Sequence, residues 1–255
     1  MYKIDLNSDL GESFGNYKLA MDKEIIPLIT SANIACGFHA SDPVVMNNAV
    51  IMARDAGTAV GAHPGYPDLM GFGRRNMVIS AEEARTYTLY QLGALDAFLR
   101  ANGGVMQHVK PHGAMYNMAA RDYKLAYAIC EAVKYFNSDL IVLALFGGEL
   151  EKASRDIGLR TASEFFADRA YNTDGTLVSR TLPGSMITDE EEAIERSIRM
   201  IREHKVKTIE GTDITVECNS ICVHGDNEKA LAFVKKIRSA LLSEGIVPCP
   251  LREIV

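Results

Sequence analysis

The sequence predicts an α/β protein of one domain, in which about seven parallel strands alternate with helices and form a (β/α) barrel-like sheet. Three observations predict it. Strand-like and helix-like segments alternate almost from end to end. The run 140–145 is apolar throughout, as a strand covered on both faces should be. Five short runs bearing His, Asp, Glu or Lys stand where expected strands stop, beside a Gly or Pro, and four of the six histidines fall in them. In parallel α/β folds the carboxyl ends of the strands are where one shared site is built, so the chain reads as an enzyme.

In chain order, residues 4–6 are short and apolar and break into a polar turn. Residues 42–56 have helical spacing through Val45, Ala49, Met52 and Ala53, with Asp42 as N-cap, Pro43 at the first helical position and Gly57 beyond the end. Residues 58–62 form the next expected strand. Ser80-Ala81-Glu82-Glu83 is a capping box that opens a long helix with Leu92, Leu95 and Leu99 on one face, closed by Gly103-Gly104. A strand over 105–109, a helix over 123–136 and the apolar strand follow, then a short helix over 149–156 and a strand over 159–163. Thr188-Asp189-Glu190-Glu191 reads as a second capping box, with Ile194, Ile198 and Ile201 at helical spacing behind it. Residues 207–216 suggest a small hairpin, 220–223 a strand and 228–242 the last helix. Between these elements, residues 168–184 lack periodicity and are rich in Gly, Asn, Asp and Arg, as a lid or binding loop would be.

At 255 residues and 47% hydrophobic content the chain can bury one large core, and no linker or composition break divides residues 1–255. A net charge of −6 with scattered Lys and Arg argues against a nucleic-acid partner. The five cysteines are odd in number and lack CxxC spacing; Cys218 and Cys222 have no further Cys partners for zinc, so reduced thiols are expected. No apolar run reaches membrane length and no signal-peptide core opens the sequence, which predicts a cytoplasmic protein that does not enter a membrane. A homo-oligomer is left open. Walker A, GxGxxG and GxSxG motifs are absent, and Gly71-Phe72-Gly73-Arg74-Arg75 is too short for a nucleotide loop.

The first strand end carries Asp5, Asn7, Asp9 and Glu12. Alternation puts Asp5 and Asn7 on one face, with Asp9 beside them if the strand persists. Clustered carboxylates suit a general base or a hard divalent metal, the plainer alternative being caps of the turn and next helix. His39 and His63 end consecutive strands, and with Asp9 they make a candidate ligand set for zinc or another transition metal. No HxxxH or HExxH pair supports a metal, so acid/base or hydrogen-bonding histidines are equally open. Lys110, next to Pro111 and His112, is placed to neutralise an oxyanion or phosphate, or else is a surface lysine on apolar neighbours. Glu164 and Arg169, with Arg180 beyond, suggest a guanidinium for a substrate carboxylate or phosphate, against an internal salt bridge among Glu164, Asp168 and Arg169. His224 and Asp226 close the last strand, Asp226 also being a natural N-cap.

Together the stretches 5–12, 33–42, 61–68, 109–117, 164–180 and 221–226 resemble the LamB/YcsF family of lactam-utilisation proteins, over nearly the whole chain. Ser41 stands where Gly is usual, Met115 where Leu is usual and Phe165 where a small residue is common, none of which removes a titratable group. The resemblance implies a barrel-like fold related to polysaccharide deacetylases. It also implies hydrolysis of 5-oxo-L-proline to L-glutamate coupled to ATP hydrolysis, with ATP as co-substrate of a complex containing 5-oxoprolinase subunits B and C. Within it, Asp9, Glu12, His39, His63, Lys110 and His112 fit catalytic roles, and Asn7, Glu164, Arg169, Arg180, His224 and Asp226 fit substrate binding. A divalent metal on Asp9, His39 and His63 is left open. The alternatives are a metal-dependent deacetylase of N-acetylated sugars and a non-catalytic subunit that only holds substrate.

Overall fold

Parallel strands close on themselves around a polar interior. The computed structural model describes residues 1–19, 21–179, 181–223 and 228–255. Its elements are β1 (Tyr2–Leu10), α1 (Asp22–Ile25), β2 (Ser31–Ala35), α2 (Pro43–Ala56), β3 (Ala59–His63), α3 (Ala81–Ala101), β4 (Met106–Val109), α4 (Gly113–Ala119) and α5 (Tyr123–Phe136). They continue with β5 (Ile141–Leu145), α6 (Glu149–Asp156), β6 (Arg160–Phe166), α7 (Glu190–Glu203), the hairpin β7 (Lys205–Lys207) and β8 (Asp213–Thr215), β9 (Ser220–Cys222), α8 (Glu228–Ser243) and β10 (Ile246–Pro248). Strands pair in the order β1-β2-β3-β4-β5-β6-β9, and β9 pairs back to β1, so seven parallel strands make a closed barrel. β10 flanks the start of β1.

The expected single-domain parallel fold of about seven strands is what forms, and most element boundaries fall within a residue or two of expectation. Asp42 caps α2 by accepting from the amides of Val44 and Val45, and Gly57 ends it in the left-handed conformation at φ 71°. The Ser80–Glu83 capping box is present, and Leu92, Leu95 and Leu99 are buried. The second expected box is not: Asp189, one residue later than Thr188, is the N-cap of α7 and accepts from Glu192. An aspartate placed directly before the first helical residue supplies the same acceptor, which displaces the Thr reading. α1, α4 and β10 carried too little periodicity to be expected. Among the described residues of the segment 168–184, Tyr171, Leu177 and Val178 are buried, and Tyr171 is stacked on Phe165 of β6. All five cysteines are free thiols.

β1 shows what positions the site. Ile4, Leu6 and Leu10 pack in the hydrophobic core, while Asp5, Asn7 and Asp9 project inward as period-two alternation requires. β1 runs through to Leu10, so Asp9 does share the face of Asp5 and Asn7.

Candidate active site

The barrel interior is a hydrogen-bonded ladder that climbs toward the carboxyl ends of the strands. At its base Asp5 accepts from the hydroxyls of Thr30 at 2.7 Å, of Ser31 at 2.6 Å and of Ser220. Burial pushes the Asp5 carboxyl up to about 6 in spite of those donors. One step higher, the Asn7 amide donates to Ser220 Oγ at 2.7 Å, and Asn7 Oδ1 accepts from Asn33 at 2.8 Å. The Asn33 amide also reaches Asp9 Oδ1 at 2.8 Å, and its oxygen accepts from His108 Nε2 at 2.6 Å. Burial lowers His108 to about 3, so its ring is neutral.

Lys110 stands at the centre of this interior, just past the end of β4. Its ammonium lies 3.0 Å from Asp9 Oδ1, 2.7 Å from Glu164 Oε1, 3.1 Å from Asn7 Oδ1 and 3.4 Å from Cys222 Sγ. Burial favours the neutral amine, but Asp9, Cys222 and Glu164 together hold it well above its ordinary value, so it stays charged. Glu164 is held in turn by the Tyr116 hydroxyl at 2.8 Å.

Above Lys110, at the barrel mouth, four side chains from four strand ends converge. Glu12 follows β1, His39 lies in the loop after β2, His63 is the last residue of β3, and His112 caps α4 after β4. One ligand atom from each lies within 4.8 Å of the others. The rings of His39 and His112 stack at 3.7 Å, and His63 meets both edge-on. Glu12 Oε1 is 3.1 Å from His39 Nε2 and 3.4 Å from His112 Nδ1. Burial raises the Glu12 carboxyl above its ordinary value, against the pull of His112 and with the help of Asp9. Burial, with the neighbouring imidazoles, pushes His39 and His112 well down, which makes both neutral. The Gly71–Arg75 loop covers the cluster. Gly73 has φ 61°, and a Cβ there would sit 2.6 Å from His39 Cβ and 2.9 Å from His112 Cδ2.

The structure therefore brings Asp9, Glu12, His39, His63, Lys110 and His112 together, with Asp9 Oδ2 3.4 Å from His63 Nε2. The group that could hold a metal is Glu12, His39, His63 and His112, so Glu12 takes the position expected of Asp9 and His112 joins it. Asn7 and Glu164 are fully buried beneath the cluster as partners of Lys110. Lys110 itself is buried, not the surface lysine of the plainer reading. Arg169 is buried beyond β6 and donates to the Val178 carbonyl at 2.6 Å. Asp168 lines a cavity of 290 Å³ that reaches Cys222 and Val223. Arg180, His224 and Asp226 lie outside the described residues. Asn33, His108, Tyr116 and Ser220 are not among the residues expected from the sequence: they lie within or directly before the stretches 33–42, 109–117 and 221–226, but each sits inside a strand or helix and not at the strand end itself.

A closed parallel β/α barrel with carboxylates, a buried ammonium and three imidazoles at its carboxyl end is an enzyme architecture. The profile of the LamB/YcsF family matches residues 4–255, and the chain belongs to that family. It is 61% identical over 254 residues to a Clostridium beijerinckii protein named as the A subunit of 5-oxoprolinase, with 100% of both chains covered. It is 46% identical to a lactam utilization protein from Thermus thermophilus, whose crystal structure matches with a TM-score of 0.93 over 97% of this chain and 99% of that one. A T48 deacetylase at 12% identity shares the fold, with a TM-score of 0.50 over 99% of this chain and 89% of that one. Among the described residues, no helix is long and apolar enough to cross a membrane.

Proposed function

We propose that this chain is the A component of a cytoplasmic, ATP-dependent 5-oxoprolinase, opening 5-oxo-L-proline to L-glutamate in a complex with subunits B and C. The observation that carries this reading is the full-length identity to proteins named as the A component of that enzyme. The cluster at the barrel mouth supplies chemistry that suits it. A five-membered lactam is stable, and phosphorylation of its amide oxygen by the assembled complex supplies both activation and a leaving group. Water then adds to the activated carbonyl carbon, and the ring C–N bond breaks as the nitrogen takes up a proton, which leaves an acyl phosphate; a second water adds to that carbon and phosphate departs, giving the carboxylate.

In that sequence Asp9 is the base that receives the proton of water. Lys110 and Asn33 fix its Oδ1, which leaves Oδ2 directed toward His63 and the barrel mouth. Having received that proton, Asp9 is also the group that passes one to the ring nitrogen, while Glu12, whose carboxyl burial raises above its ordinary value, stands beside it at the barrel mouth. Lys110 acts chiefly through Asp9, since its donors already meet Asp9, Asn7 and Glu164. Arg169 and Arg180 remain the proposed holders of the substrate carboxylate.

The test is reconstitution. Glutamate release from 5-oxoproline with ATP is expected from the complex with subunits B and C and absent from this chain alone. A reconstituted complex without that activity, or with deacetylase turnover of N-acetylated sugars instead, overturns the reading.

A further inference from the structure

His63 and His112 aim their acceptor nitrogens at each other. His63 Nδ1 is 2.7 Å from the Lys110 carbonyl oxygen, and His112 Nε2 is 2.8 Å from that of Phe72. A carbonyl oxygen only accepts, so both of those nitrogens carry the ring hydrogen. In neutral rings the lone pairs are then on His63 Nε2 and His112 Nδ1, and these two atoms are 3.0 Å apart. Two acceptors at that separation repel unless a positive centre joins them. A third acceptor, Glu12 Oε1, stands 3.4 Å from His112 Nδ1 and 3.1 Å from His39 Nε2.

We infer that Glu12, His39, His63 and His112 form the binding site of one divalent transition-metal ion, zinc before the others. Three imidazole nitrogens and one carboxylate oxygen are the donor set that borderline divalent ions select, and a poor set for magnesium or calcium. Zinc bonds of about 2.0–2.1 Å in a tetrahedron separate neighbouring donor atoms by roughly 3.3 Å. The separations of 3.0, 3.1 and 3.4 Å already lie close to that value. The Lys110 and Phe72 carbonyls are the outer partners that fix the tautomer and aim of the His63 and His112 rings. A single proton shared by His63 and His112 would relieve their contact, and a hydrogen bond would join His39 Nε2 to Glu12 Oε1 at 3.1 Å, but neither draws all four donor atoms to one point. Asp9 lies beside the set and not in it: its Oδ1 meets Lys110 and Asn33 and its Oδ2 is 3.4 Å from His63 Nε2, but it is not among the donor atoms that all lie within 4.8 Å of one another. The inference does not depend on which amide enters the barrel mouth.

The experiment uses the full-length chain, stripped with a chelator and titrated with Zn²⁺, Co²⁺ and Mg²⁺. One zinc per chain is expected by elemental analysis, with a raised melting temperature. The Co²⁺ form should show the strong visible bands of a low-coordinate site, and Mg²⁺ should do neither. Changing an outer-shell partner alone typically weakens metal binding by 10–100-fold, so Glu12→Gln and His63→Gln should each weaken zinc by about 10²-fold or more. Asp9→Asn should keep the full zinc equivalent, which separates this site from one built on Asp9, His39 and His63. Circular dichroism checks that each variant is folded; if His63→Gln is not, Glu12→Gln and the wild-type metal content still decide. Substoichiometric zinc and no cobalt bands in the folded wild type overturn the inference, as does loss of the ion in Asp9→Asn with retention in Glu12→Gln.

Discussion

Lys110 Nζ lies 2.7 Å from Glu164 Oε1 with both side chains buried, so the lysine is one half of an ion pair inside the barrel. Asp9, 3.0 Å away on the other side, is the part of that network nearest the barrel mouth. The arrangement makes Lys110 a positioning group for Asp9 and a structural counter-ion for Glu164 at once.

Lys110→Met should therefore cost stability as well as turnover. Removing one member of a buried ion pair leaves the other charge uncompensated, typically at about 3–5 kcal/mol. Urea unfolding of the variant measures it. Adding Glu164→Gln to Lys110→Met should restore part of the loss, because the stranded carboxylate is gone. A single variant within about 0.5 kcal/mol of wild type would refute the buried pair, since that is the behaviour of an unencumbered surface site.

Asp5 gives a pH dependence with a definite sign. Its carboxyl is raised from 3.8 to about 6 on folding, so the native state holds the proton more tightly than the unfolded chain. The stability this group contributes is complete below about pH 4 and is lost as pH rises through about 6. The full effect is on the order of 3 kcal/mol. Asp5→Asn removes the titration, so the difference in unfolding free energy between wild type and variant should shift toward the variant from pH 5 to pH 8. A difference independent of pH across that range would show that Asp5 does not titrate there.

The cap of α7 distinguishes two neighbouring residues. Asp189 accepts from the Glu192 amide, whereas Thr188 does not cap the helix. Asp189→Ala should cost about 1 kcal/mol and Thr188→Ala less than about 0.5. Paired thermal melts check the order, and a larger loss at Thr188 would restore the capping box expected from the sequence.

Much of the fold was legible because local and global signals agree along this chain. The 140–145 run, the Asp42-Pro43 start and the Ser80–Glu83 box each specify one kind of element without tertiary help. The convergence of His39, His63 and His112 was legible for a similar reason: each sits beside a strand end, and parallel topology brings strand ends together. What the sequence hid was the ladder beneath them. Asn33, His108 and Ser220 lie within strands, and only closure of β9 onto β1 brings Ser220 against Asp5 and Asn7. The choice of Glu12 over Asp9 in the cluster was hidden too, because it follows from which carboxylate comes near all three imidazoles once the strand ends converge, while Asp9 pairs with Lys110, 101 residues along the chain.

Gly73 tests how tightly the barrel mouth is built. Its φ of 61° disfavours any side chain, and a Cβ would stand 2.6 Å from His39 Cβ, a contact that real atoms do not sustain. Gly57 offers a control, with φ 71° and no heavy atom within 4 Å of its would-be Cβ. Gly57→Ala should show the cost of left-handed backbone alone, roughly 1–2 kcal/mol. Gly73→Ala should carry that cost and also force His39 and His112 aside, adding about 1–3 kcal/mol of overpacking. A displacement near 1 Å in a catalytic group can lower turnover by about 10². The expected pattern is thus a reconstituted complex that keeps its activity with Gly57→Ala and loses most of it with Gly73→Ala, measured where both proteins are folded. Equal activities would mean that the loop over the histidines yields, and that their spacing is not what the reaction depends on.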